Sequence, residues 1–360
     1  MDQGRKTIIS SEYLSEKGKS CCRIIPKFST AVCCIGSIGK CGYLNVEGTT
    51  NQQINSVIPN IDSLYAYYYC SSDYFLEQLL SLASATTIAI VNKSKMESVL
   101  IPVPPMVEQK KIANTLDTAL GLIETLEVEK SDIIVAINSV KSKILDLAIR
   151  GKLVPQDPND EPASVILERI RAEKEELIKQ GKIKRDKKES VIFKGDDNSY
   201  YEKYGEKLPS GWVVTNFETL LEYEQPTKYI VNDTNYKPTY KTPVLTAGKS
   251  FLLGYTNETD NIFDDLPVII FDDFTTESKF VDFPFKVKSS AMKILHINQD
   301  FVLPKYAFYL MQATEIDHDN HQRYWISTYS QEIVALPPIN EQERILTTLE
   351  HYYNLLDILQ

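Results

Sequence analysis

The sequence predicts an α+β chain in which two globular domains, each a mixed or antiparallel sheet with helices, are separated by long helices that pair as an antiparallel coiled coil. Three observations carry this. A heptad seam runs from Ile112 to Leu147, the signal that opens that helix recurs 233 residues later, and each opening follows a segment rich in short β-prone runs broken by Gly, Asn and Asp turns.

The first helix opens at Pro104-Pro105-Met106-Val107-Glu108-Gln109, where the prolines preset φ and Glu108 sits in the first turn, near the positive end of the helix dipole. Apolar residues then recur in four- and three-residue steps at Ile112, Leu116, Ala119, Ile123, Leu126, Ile133, Ile137, Val140, Ile144 and Leu147, interrupted only by Lys130. A narrow stripe held this long faces a partner helix, and at ~1.5 Å per residue the rod from Glu108 to Arg150 is roughly 65 Å long. Pro337-Pro338-Ile339-Asn340-Glu341-Gln342 repeats the opening, and Ile345, Leu349, Tyr352, Leu356 and Leu359 fall opposite Ile112, Leu116, Ala119, Ile123 and Leu126. The chain is internally duplicated, and its second long helix is the expected partner of the first.

With these residues the chain resembles the specificity subunits of type I restriction-modification systems, which carry P-P-x-x-E-Q at each junction of domain and helix. Three other stretches are similar to that family: Ala148-Ile149-Arg150-Gly151-Lys152-Leu153-Val154-Pro155-Gln156, Asp160-Glu161-Pro162-Ala163 and Leu208-Pro209-Ser210-Gly211-Trp212. The resemblance implies a first target-recognition domain at 1–101, a central long helix at 102–154, a helix and charged linker at 155–207, a second target-recognition domain at 208–336 and a second long helix at 337–360. It also implies a non-catalytic subunit that reads a bipartite double-stranded DNA target. Methylation subunits would dock on it, and a restriction and motor subunit would join through the complex. AdoMet, ATP and Mg²⁺ would then belong to those partners and not to this chain. The counterpart of Leu208 to Trp212 would precede Met1, and that of Arg150-Gly151-Lys152 would lie beyond Gln360. The first recognition domain and the second helix are therefore expected to be short, and pairing of two copies on a symmetric target is the corresponding expectation.

The 360 residues have a net charge of −10, which by itself argues against DNA. Its distribution matters more: 1–101 holds nine Lys/Arg against eight Asp/Glu, and 208–336 ten against seventeen. A DNA contact in the second domain must then come from a local cluster, for which Lys279, Lys286, Lys288 and Lys293 are candidates beside the plainer reading of a solvated strand face. The same acidity supports a different class of function, a coiled-coil scaffold displaying two protein-binding domains. No apolar run is long enough to span a membrane and no signal peptide opens the chain, so a cytoplasmic protein is expected. All six cysteines precede position 71, at Cys21, Cys22, Cys33, Cys34, Cys41 and Cys70, without Cys-x-x-Cys spacing or a nearby histidine, which favours reduced thiols over zinc or disulfides.

In chain order, Ala31-Val32-Cys33-Cys34-Ile35 reads as a buried strand entering the turn Gly36-Ser37-Ile38-Gly39-Lys40, whose spacing is wrong for a phosphate loop. Lys40 and the polar run Thr49-Thr50-Asn51-Gln52-Gln53, with Thr49, Asn51 and Gln52 foremost, are candidate DNA contacts, since Asn and Gln pair with adenine in the major groove. A plain polar loop is the alternative. Tyr65, Tyr67, Tyr68, Tyr69 and Tyr74, with Phe75, Leu76, Leu79 and Leu80, read as one helix packed on the sheet, base stacking being the minor alternative. Ala163 to Lys179 reads as an amphipathic helix with Val165, Ile166, Ile170 and Leu177 and a stop at Gly181, and Lys184-Arg185-Asp186-Lys187-Lys188-Glu189 as a solvated linker. Strands are expected at Pro267 to Phe271 and Lys293 to Ile297, and a helix from Lys305 to Met311. Thr246-Ala247-Gly248-Lys249, Asp272-Asp273-Phe274-Thr275-Thr276 and Ser289-Ser290-Ala291 are similar to loops of the family's recognition domains, which adds Lys249, Thr275, Thr276, Ser289 and Ser290 to the candidates.

Two catalytic readings were open. Adenine methyltransferases hold the flipped base with Asp or Asn before Pro-Pro-aromatic. Here Val103 and Leu336 precede the proline pairs and Met106 and Ile339 follow them, so the polar group and the aromatic that this chemistry needs are both missing. Asp272 or Asp273 with Glu277 and Lys279 is similar to the Mg²⁺-binding triad of nucleases, although the gap between acid and Glu is short for it.

Overall fold

The structure, a computed structural model, describes residues 13–84, 89–181, 207–248, 250–314 and 323–359. Lys249, the run Lys184 to Glu189 and the side chains of Ile170 and Leu177 lie outside the described residues. The chain divides into two compact units, 1–131 and 132–360.

In the first unit a short helix α1 (Glu16–Cys21) precedes three strands, β1 (Thr30–Cys33), β2 (Cys41–Tyr43) and β3 (Ile54–Val57). They form an antiparallel sheet in the order β2-β1-β3. Helices α2 (Ser63–Cys70), α3 (Asp73–Leu82) and α4 (Lys93–Glu97) follow, and then the long α5 (Met106–Ile149). The single helix expected around the tyrosines is two, because Ser72 ends one and caps the next, its Oγ accepting from Phe75 N at 3.3 Å. Tyr65, Tyr67 and Tyr68 are buried with Tyr43 and Ala113 of α5, so these rings are core. Tyr69 donates to the Leu100 carbonyl. Cys34, Phe75, Leu79 and Val91 centre a second cluster around the fully buried Val32. All six cysteines are free thiols. Burial pushes the Cys70 thiol up to about 12 and that of Cys41 higher still, as expected of inert reduced groups.

The second unit contains α6 (Ala163–Lys179), β4 (Val213–Asn216), α7 (Phe217–Leu220), β5 (Leu221–Glu224), β6 (Thr242–Leu245), β7 (Leu252–Thr256), β8 (Val268–Asp272) and β9 (Ser278–Val281). After these come β10 (Lys286–Val287), β11 (Met292–Ile297), α8 (Pro304–Gln312), α9 (Tyr324–Ser327), β12 (Ile333–Leu336) and α10 (Ile339–Asp357). Three sheets result: an antiparallel β5-β11-β8-β9, a mixed β10-β6-β7 with β10 parallel to β6, and a β12-β4 pair. Phe271, Trp325 and Tyr329 pack edge to face and stacked in the main core, which also takes in Leu145, Ala148 and Ile149 from α5 and Ile345 and Leu349 from α10.

The duplicated Glu-Gln pair has a structural job. Gln342 is fully buried: its Oε1 accepts from Leu303 N at 2.8 Å, and its Nε2 donates to the carbonyls of Phe301 (2.9 Å) and Pro337 (3.0 Å). Gln109 does the same in the first unit, accepting from Asp62 N at 2.9 Å and donating to the Pro104 carbonyl at 2.7 Å. Each Gln ties the start of its long helix to the start of a helix that packs on its unit's sheet.

Helix α10 runs antiparallel to the last turns of α5. Glu341, at its start, accepts from Trp212 Nε1 at 3.0 Å near the α5 exit, while Tyr353 Oη donates to the Lys141 carbonyl at 3.1 Å and Asp357 pairs with Lys141. Of the expected seam, Ile137, Ile345 and Leu349 are buried, and Ile112, Ile144, Leu147 and Leu356 are partly so. Leu116, Ile123, Leu126, Ile133 and Val140 stand exposed, and the antiparallel pairing described within the second unit is with the last turns of α5. Where α5 meets the second unit it buries positions 137, 145, 148 and 149, the wider stripe of a helix on a globular core.

Candidate nucleic-acid interface

In the second unit three loops meet at one end of the sheets. Pairing of Met292 with Asp272 puts the loop entering β11 beside the loop leaving β8, and pairing of Val287 with Leu245 puts the exits of β10 and β6 side by side. The loops are stitched by Asp273 N to the Ala291 carbonyl (3.4 Å), Lys288 N to the Leu245 carbonyl (3.1 Å) and Gln225 Nε2 to the Ser290 carbonyl (3.0 Å). Asp272 Oδ1 accepts from Phe274 N (2.9 Å) and Thr275 N (3.0 Å), a turn closed by Thr276 at φ 57°. This presents Phe274 and Thr275 to solvent beside exposed Lys288, Ser289 and Ser290. Five of the sequence candidates, Thr275, Thr276, Lys288, Ser289 and Ser290, thus share one end.

The expected lysine cluster does not survive intact. Lys286 is 1% exposed, its Nζ 3.0 Å from Glu258 and 2.9 Å from the Asp260 carbonyl. Burial would raise the Glu258 carboxyl, but the amides of Asp233 and Asn232 and the Lys286 ammonium hold it below the usual range. Lys293 is likewise buried, donating to Gln225 Oε1 at 2.6 Å and lying 3.5 Å from Asp273. Lys279 is partly buried and 3.4 Å from Glu277. Lys286 is committed to the segment leaving β7, away from this loop end, and Lys293 to Gln225 and Asp273 at it, so of the four only Lys288 is exposed. The nuclease arrangement fails for the same reason. Asp273 is 2% exposed and also accepts from Trp325 N at 3.0 Å, while Asp272 is turned onto its own loop.

The first unit builds an equivalent end. Cys34 N donates to the Gln53 carbonyl at 2.8 Å, matching Asp273 N to Ala291, so the loops 34–40 and 49–53 correspond to 273–277 and the stretch before β11. Gly36 (φ 75°) and Gly39 (φ 85°) make the first turn, and Asn51 Oδ1 accepts from Gln53 N at 3.1 Å in the second. Lys40, Thr49, Asn51 and Gln52 are exposed there. Sequence reasoning missed Phe274 as an exposed tip and Gln225 as a brace. A strand-terminal Asp followed by short polar residues was the available signal for the first, and nothing local marks the second.

Residues 2–146 match the type I restriction modification DNA specificity domain. The chain is 44% identical over 164 residues to the type I restriction enzyme EcoR124I/EcoR124II specificity subunit of Escherichia coli, a match covering 44% of this chain and 40% of that protein. It is 50% identical over 86 residues to the EcoAI specificity subunit of Escherichia coli, covering 24% of this chain and 13% of that one. The matched stretches span well under half the length of these relatives. Among solved structures, one described as showing complex assembly and conformational transition of the type I R-M system aligns with a TM-score of 0.58 at 13% identity. That alignment covers 94% of this chain and 77% of the other, and it is a likeness of fold.

Proposed function

We propose, from the premise that residues 2–146 belong to the type I restriction-modification DNA specificity family, that the chain is the non-catalytic DNA-reading subunit of such a system. The observation that carries this is the repetition of the loop end. Each unit presents short polar side chains, Thr49, Asn51 and Gln52 in one and Thr275, Ser289 and Ser290 in the other, at the same end of the same arrangement of strands. Such groups read base edges, while Lys40 and Lys288 supply phosphate contacts that position the units on the duplex. Two readers on one chain imply a two-part target, and the helix α5 joining them is the element that sets half-site separation, as dimer geometry does elsewhere. Methylation subunits bearing AdoMet dock on the chain and flip the adenine, and the motor and nuclease subunit, with ATP and Mg²⁺, joins through them.

The test is to mix the chain with its methylation subunit and sequence the modified DNA. Methylated adenine in a defined motif is the expected result, with binding that weakens steeply as salt rises. A stable complex without methylation, or binding indifferent to salt, contradicts the reading and favours the protein-interaction scaffold that the acidity of 208–336 suggested.

A further inference from the structure

Beneath the loop end of the second unit three side chains line up across neighbouring strands. Gln225 follows β5, Lys293 lies at the start of β11 and Asp273 follows β8, and the pairing of these strands sets the three in a row on one face. Lys293 Nζ donates to Gln225 Oε1 at 2.6 Å, lies 3.5 Å from Asp273 Oδ2 and stands 5.3 Å from the centre of the Tyr223 ring. The outer members of the row each hold a loop. Gln225 Nε2 donates to the Ser290 carbonyl at 3.0 Å. Asp273 anchors the turn that presents Phe274 and Thr275: its Oδ1 accepts from Trp325 N at 3.0 Å, its carbonyl accepts from Tyr324 N at 2.9 Å, and its own N donates to the Ala291 carbonyl at 3.4 Å.

Packing does not account for this row. Lys293 is 2% exposed, and burying an ammonium is costly enough that an apolar side chain of similar volume often serves a core as well or better. What the charged, hydrogen-bonded row supplies is direction, because each bond holds at one geometry and keeps the two loops from sliding past each other.

The first unit has a contact on the same diagonal. Pairing of Cys33 with Ile54 corresponds to pairing of Asp272 with Met292, which makes Asn55 the counterpart of Lys293 and Cys34 that of Asp273. Asn55 Nδ2 donates to Cys34 Sγ at 3.2 Å. A polar cross-strand contact thus stands at one place beneath the loops of both units, although both of its residues differ and sulfur is the weaker acceptor.

We propose that these contacts are positioning devices for base recognition. Lys293, Asp273 and Gln225 fix the loop 288–291 against the loop 273–277, Asn55 and Cys34 fix the loop 49–53 against the loop 34–40, and all five act through the loops and not by touching a base. This rests on the reading of the loop ends as DNA contacts. Gln225 is the member whose two roles separate, since its oxygen serves Lys293 and its nitrogen serves Ser290.

Gln225→Glu tests the proposal. The carboxylate still accepts from Lys293, now as a charge pair, but it has no hydrogen for the Ser290 carbonyl and repels it. In hydrogen exchange on the full chain, the amides of Lys288 and Ala291 should open about tenfold more often, with β8 and β11 protected as before and thermal stability equal or higher. In DNA methylated with the methylation subunits, the part of the motif that Thr275→Ala with Ser289→Ala and Ser290→Ala alters should tolerate a changed base about tenfold more readily, and the other part should stay as it is. Asn55→Leu, close in volume, should relax that other part alone, by about threefold because the bond to sulfur is weaker. Loop amides as well protected in Gln225→Glu as in the unaltered chain, a motif unchanged above a loosened loop, or relaxation of both parts from one change would each overturn the proposal. If the unaltered chain directs no methylation, the reading of the loops falls and the proposal falls with it; the exchange result, which needs no DNA, tells that failure from a row that does not hold its loop.

Discussion

Both units use a buried glutamine to fasten the start of a long helix to the start of another, yet they differ in what surrounds that fastening. In the second unit the residue before it, Glu341, is buried and holds Trp212 Nε1; in the first, the equivalent Glu108 is exposed. Among the described residues the second unit's main sheet has a fourth strand, β5, and the first unit's has three. Among the described residues the two units therefore share one plan of strands and helix start, and they differ where β4, α7 and β5 make their contacts in the second unit.

Breaking the buried pair in the second unit should have the largest effect. Asp273→Ala leaves the Lys293 ammonium buried with only the neutral Gln225 Oε1 as partner and removes the acceptor for Trp325 N, at a cost of about 3–5 kcal/mol. Chemical denaturation followed through the tryptophans, both of which lie in this unit, reads that loss, and exchange in β1 to β3 should not change. Next come the paired glutamines. Gln342→Ala breaks three hydrogen bonds and should cost roughly 3 kcal/mol, and Gln109→Ala, with two, roughly 2 kcal/mol. Each loss should be confined to its own unit in segment-resolved hydrogen exchange. Equal losses in both units from either change would mean that they unfold as one and would remove the comparison.

A pH titration sharpens the contrast. Burial holds the Glu341 carboxyl above its usual range, so its contribution favours the folded state most below the unfolded carboxylate pKa and declines as pH rises to the folded value. Asp160 is held low, chiefly by the hydrogen bond from Arg344 Nη2 at 2.6 Å, so it stabilises above the unfolded pKa and that support is lost as pH falls through the folded value. Both act on the second unit. Glu341→Gln should flatten the first of these pH dependences while leaving the second, as read by stability at acid and neutral pH. The smallest effect is on DNA. Lys288→Ala should weaken binding by a similar factor for all sequences and lower the salt slope by about 1.

Much of this plan was legible in the sequence where a residue's local physics is strong. The prolines at 104–105 and 337–338 announce both long helices, and the 163–179 helix lies where its apolar spacing and Gly181 put it. The break between α2 and α3 was missed because the apolar pattern runs on through Ser71-Ser72-Asp73, although Ser72 ahead of Asp73 is itself a capping signal. Lys286 and Lys293 were misplaced for a different reason. A lysine between apolar neighbours, as in Phe285-Lys286-Val287 and Met292-Lys293-Ile294, reads as the solvent-facing position of an alternating strand, yet both strands are covered on both faces. The partners that make their burial tolerable, Glu258 and Asp273, are distant in sequence. The seam was legible as a pattern, but that its last turns meet a globular core as well as α10 depends on residues far off in sequence, such as Trp212 and Ile345.

The most direct test of the two-reader account is to sequence methylated DNA from cells expressing the chain with its methylation subunits, once unaltered and once with each loop end changed. Asn51→Ala with Gln52→Ala should alter one part of the motif only, and Thr275→Ala with Ser289→Ala and Ser290→Ala the other part only. A motif that stays the same in both variants, or that changes in both parts from either one, would contradict it.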